Sequence, residues 1–111
     1  MKEVKVGMIQ GRHEMPVESY IFDGALDPMD FNAIEAGVVR WIDSLSDYVV
    51  RDEDEMFPYY PVEGRIHVTL YVTGLSAVLA CVAKYCAKCH IGLTLMHFDR
   101  DTGDYKPQEI F

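Results

Sequence analysis

Apolar and polar residues alternate at the start of the chain, where Val4, Val6 and Met8 are separated by Lys5 and Gly7 and followed by Ile9. That period of two predicts a strand. Gly11 to Val17 reads as a connection, and Glu18 to Phe22 as a second short strand that ends at Asp23-Gly24 and could pair with the first. The spacing then changes to threes and fours: Ile34, Val38, Trp41, Ile42 and Leu45 form one stripe of a helix expected from Pro28 to about Leu45. Asp27 is placed to cap it, Pro28 to open it, and Asp30 to add negative charge to its first turn. Asp47 to Gly64 mixes acids, aromatics, two prolines and a glycine, which predicts a long loop. Beyond it the pattern predicts a strand over Ile66–Val72, a tight connection Thr73-Gly74-Leu75-Ser76, a helix over Ala77–Cys89 and a strand over Leu93–Phe98. A turn at Asp99–Gly103 and a last edge strand over Tyr105–Ile110 complete it. Strand, helix and strand in so short a span form a βαβ unit with parallel pairing.

These elements predict one α/β domain over residues 1–111, small and Rossmann-like, with a mixed sheet of about five strands and two helices. With 50% apolar and 25% charged residues, the composition suits a single modest core. No apolar run approaches the roughly 18 residues of a membrane span, and the first ten residues lack the marks of a secretory signal, so a cytoplasmic protein with no membrane partner is expected. The three cysteines are expected as reduced thiols. Cys86-Ala-Lys-Cys89-His90 spells a c-type haem attachment site. Yet Leu79, Val82, Cys86, Cys89 and Leu93 share one helical stripe, which predicts buried thiols, no haem and no zinc. The opposite face, with Cys81, Lys84 and Lys88, reads as solvated surface.

The charge changes the picture of partners. The chain has 18 acidic and 10 basic side chains, and the whole excess lies in residues 1–60, with 13 acids and five bases against five of each in residues 61–111. An anion site therefore belongs to the second half, and duplex DNA, which needs a broad basic surface, is not an expected partner. In open α/β sheets ligands sit beyond the carboxyl ends of parallel strands, which is where Thr73, Gly74, Leu75 and Ser76 lie, with two hydroxyls and a permissive glycine. A plain helix start with Ser76 as its cap fits the same residues. His97, Asp99 and Arg100 gather at the end of the following strand, and His90 closes the second helix. An imidazole can move a proton, a carboxylate can orient it or hold a metal, and a guanidinium can clamp a phosphate; a polar strand end and turn is the other reading. His90 and Asp99 stand at opposite ends of one strand, about 25 Å apart when extended, so they could cooperate only between subunits.

The stretch from Ile66 to Ile110, with Thr73-Gly74 after a strand, a helix ending at His90, a strand ending Phe98-Asp99 and a turn closing on Gly103, resembles the small CRISPR-associated ring nucleases. These act on cyclic oligoadenylate second messengers in type III antiviral defence. Phe22 to Pro28, an edge strand leading through a proline into a long helix, is similar to that family's opening. The resemblance implies His90 and Asp99 as catalytic residues, dependence on manganese or another divalent metal with Asp99 as a ligand, and a homo-oligomer that sandwiches the cyclic ligand. Arg100 would bind phosphate and take part in catalysis, with Thr73, Gly74, Leu75, Ser76 and His97 around the ligand and Lys84 or Lys88 supplying further charge. Phe57, Tyr59, Tyr60 or Tyr105 would stack on adenine. The family's arginine stands two places after the aspartate, where this chain has Asp101. The implied function is removal of the messenger, most readily the tetra-adenylate ring, by metal-stimulated ring cleavage, with sequestration by a non-catalytic sponge as the alternative. A third reading is a protein-interaction module with the acidic aromatic segment Arg51–Pro61 as its epitope.

Overall fold

The computed structural model describes residues 2–11, 15–45, 49–51, 59–61 and 66–111. Its elements are β1 (Lys2–Ile9), β2 (Tyr20–Phe22), α1 (Phe31–Asp43), β3 (Val49–Arg51), β4 (Tyr59–Pro61), β5 (Ile66–Tyr71), α2 (Ser76–Lys88), β6 (Gly92–Asp99) and β7 (Asp104–Glu109). Five strands form one sheet in the order β2-β1-β5-β6-β7. The first four are parallel and β7 returns antiparallel to β6, which makes the sheet mixed and the fold α/β as expected. Within the expected long loop, β3 and β4 pair antiparallel as a separate two-stranded sheet; the rest of that loop, Phe57 included, lies outside the described residues.

The crossovers from β2 to β5 and from β5 to β6 step the same way across the sheet, so right-handed connections place both helices on one face. Ile34, Val38 and Ile42 of α1 and Val78, Val82 and Cys86 of α2 close over Val6, Met8, Val68, Leu70, Leu93 and Leu95 in a single core. Strand alternation sends Lys5, Thr69, Tyr71, Met96 and Phe98 to the other face, on which no helix lies among the described residues. There Tyr105 packs edge-on against Tyr71 and Phe98, with ring centroids 4.8 and 5.3 Å apart. Both sheet edges resist further pairing, since β2 has three residues and β7 carries Pro107.

Two helix starts differ from expectation. Helix α1 begins at Phe31, not Pro28: Asp30 is its N-cap and accepts from the Ala33 amide at 3.1 Å, while Asp27 accepts from the Met29 amide at 2.9 Å in the turn before it. Both aspartates suit a cap, and the one nearer the buried stripe takes the role. In α2, Ser76 is already helical and Leu75 occupies the N-cap position without a side-chain cap.

Candidate functional site

The connections leaving β1 and β5 diverge, toward β2 on one side and β6 on the other, so a crevice opens between the carboxyl ends of these neighbouring strands. On the β1 side Gln10, Gly11, Asp23, Gly24 and Ala25 line a cleft of about 410 Å³. On the β5 side lies Thr73–Ser76, tied down by a 3.4 Å hydrogen bond from the Thr73 amide to Met8 Sδ. Thr73 is buried, and its Oγ1 has no hydrogen-bond partner among the described residues. Nothing lies within 4 Å of where a side chain at Gly74 would begin, so the approach to the first amides of α2 is open. Uncapped helix amides, a buried hydroxyl without a partner and free space are the components of an anion site. Sequence reasoning identified Thr73–Ser76 and missed Gln10 and the Asp23–Ala25 wall; the signal available was a glycine two residues after the end of each of the first two strands.

At the end of β6 the structure explains Asp99 differently from a metal ligand. Its carboxylate accepts from the Asp101 amide and pairs with Lys106 Nζ, both at 2.9 Å, and the Gly103 amide returns to its carbonyl at 2.8 Å. Gly103 takes φ +74°, which completes a tight hairpin turn. The Lys106 ammonium, then the turn amides, hold the Asp99 carboxyl below its ordinary range. His97 Nε2 lies 2.8 Å from Gln108 Oε1 across the hairpin. Arg100 is exposed at the tip. Thr73–Ser76, His97, Asp99 and Arg100 thus share the carboxyl edge of the sheet. No group of three metal-ligating side chains forms among the described residues, and a metal at Asp99 would have to displace Lys106.

His90 is elsewhere. It ends α2 at the opposite, amino edge of the sheet, with φ +57° in a turn where the Ile91 amide bonds the Cys86 carbonyl at 2.9 Å and the His90 amide bonds Ala87 at 3.4 Å. This is the closing turn in which glycine is the usual residue. The buried thiols are as expected, with Cys86 and Cys89 almost wholly inaccessible and burial pushing the Cys86 thiol up to about 12. The face bearing Lys84 is not merely solvated: Lys84 pairs with Glu35 of α1 at 3.0 Å, and Tyr85 donates to the same carboxylate. Tyr85 is raised to about 12 by that bond, and Lys88 lies 5.5 Å from the Tyr85 ring centroid. Lys84 is therefore committed to joining the helices. Tyr105 is wedged between two rings, and of Tyr59 and Tyr60 only the backbone is described.

No protein-family model, no curated protein and no solved structure matches this chain.

Proposed function

We propose that this chain binds cyclic oligoadenylate, the tetra-adenylate ring above all, at the carboxyl edge of its sheet and thereby lowers the concentration of that messenger. The observation that carries the reading is the buried Thr73 hydroxyl, without a partner among the described residues, beside the uncapped start of α2, a pairing that a phosphate oxygen would satisfy on both counts. Arg100, exposed at the hairpin tip on the same edge, supplies a cation, and His97 a further donor. One chain offers one such edge, so a ring of four phosphates is best met by two or more copies; the ligand would promote association.

Within a single chain the arrangement favours holding the ring over cutting it. Asp99 is occupied by Lys106 and the turn, Asp101 adds negative charge beside Arg100, and His90 sits at the far edge near Glu109 and the carboxyl end of α2, surroundings that favour cations. Cleavage is the second reading, favoured by the histidine kept in a position better suited to glycine. It would need His90 of one copy near the hairpin of another, attack of a ribose 2′-hydroxyl on its neighbouring phosphate, and proton transfer by the imidazole. Manganese or another divalent metal belongs to this second reading.

Incubating the purified protein with cyclic tetra-adenylate, with and without manganese, and separating ligand from product by chromatography tests both. Intact ligand retained by the protein supports sequestration, a linear product supports cleavage, and free, unchanged ligand overturns the proposal and leaves the protein-interaction reading.

A further inference from the structure

At the amino edge of the sheet, away from the anion site, lies a cleft of about 460 Å³. Its walls are apolar, formed by Ile66, Ile91, Cys86 and Phe111, and its polar groups are His67, His90 and Glu109. Its size falls within the range of small-molecule sites, about 300–1,000 Å³. The floor is built closely: a side chain at Gly92 would begin 2.5 Å from His67 Nδ1, so only glycine lets that imidazole lie against β6, where its Nε2 is held 2.8 Å from Thr94 Oγ1.

The electrostatics of the cleft run one way. Among the described residues Glu109 is the one acidic side chain on its lining, and it has no ion-pair partner among them. Helix α2 points its carboxyl end here through Cys86, Ala87 and His90, adding the negative pole of its dipole. The Cys86 thiol is neutral, and among the described residues no lysine or arginine lines the cleft. Apolar walls with a negative rim select an apolar body carrying a positive nitrogen.

We infer that this cleft is a binding site for a small apolar amine, with Ile66, Ile91 and Phe111 enclosing the hydrocarbon part and Glu109, with the end of α2, receiving the ammonium. The site is separate from the anion edge and stands whether or not cyclic oligoadenylate binds there.

The test is an amide NMR titration of the whole protein with phenethylamine, its neutral counterpart phenethyl alcohol and the anion phenylacetate, each to about 10 mM, a range suited to weak fragments. The amine is expected to shift the amides of Ile66, Ile91, Gly92 and Glu109 and to bind about three- to tenfold more tightly than the alcohol, with phenylacetate weakest. Glu109 is exposed, so E109Q keeps the fold and should bring the amine to the level of the alcohol. Ala87→Leu, at an exposed helical position on the cleft wall, should weaken amine and alcohol alike. Equal binding of all three probes, preference for the anion, shifts confined to another region, or no binding by any probe would overturn the assignment.

Discussion

Replacing Thr73 by valine should make the free protein more stable and the ligand-bound protein less so. The side chains have nearly the same shape, so the change removes a hydroxyl that is buried without a partner among the described residues and leaves the packing in place. An unsatisfied buried hydroxyl costs about 1–3 kcal/mol; taking the lower end, T73V should gain about 1 kcal/mol, which is about 4–6 °C in Tm for a domain of this size. The same hydroxyl, bonded to a phosphate oxygen, would contribute at least about 1.4 kcal/mol, so the variant should bind cyclic tetra-adenylate about tenfold more weakly. At a concentration 100 times the wild-type Kd, the ligand would stabilise wild type by roughly 2.7 kcal/mol and the variant by roughly 1.4 kcal/mol. Thermal melts with and without the ring read both quantities, and T73S, which keeps the hydroxyl, should behave as wild type toward the ligand. A less stable T73V without ligand would show that the hydroxyl has a partner in the free protein. An undiminished ligand shift would show that it never touches the ligand.

His90→Gly should relieve the left-handed backbone, raise Tm by about 2–4 °C in a melt, and abolish ring cleavage if cleavage occurs. Cys81, half-buried, should react first with a thiol reagent, and Cys86 and Cys89 only as the protein unfolds. Because the folded Cys86 thiol is raised from 9.0 to about 12, its contribution, about 4 kcal/mol, is complete below the unfolded value and is lost as pH climbs from 9 toward 12. Tyr85 acts in the same direction, being raised from 10.0 to about 12. Equilibrium unfolding at pH 8 and about pH 11 should show about two-thirds of the Cys86 loss. Lys106→Ala should return the Asp99 carboxyl toward its ordinary range in a carbon-detected NMR titration.

The β5-α2-β6 unit and the hairpin after it were legible because β-branched alternation, a helical stripe and the turn residues of Asp99–Gly103 all point the same way. The start of α1 was ambiguous for a physical reason: Asp27 and Asp30 each cap an amide, and Pro28 fits a turn as well as a helix. Thr73–Ser76 could be placed at the carboxyl edge from the order of elements, but its missing cap could not, since that depends on Leu75 standing where a serine was expected. The wall of Gln10 and Asp23–Ala25 and the cleft under His90 depend on which strands become neighbours and on Gly92 admitting a ring from β5, and neither is written in local pattern. The occupation of Asp99 by Lys106 likewise arises only once β7 folds back on β6.

Under the proposed function a cyclic oligoadenylate is held at the carboxyl edge of the sheet. Isothermal calorimetry of the wild-type protein against cyclic tetra-adenylate, with linear tetra-adenylate and duplex DNA as comparisons, tests it most directly. Saturable binding of the ring at fewer than one ring per chain is expected, with weaker binding of the linear form and none of the duplex. No heat of binding with the ring at a ligand excess, or equal binding of ring and duplex, would contradict it.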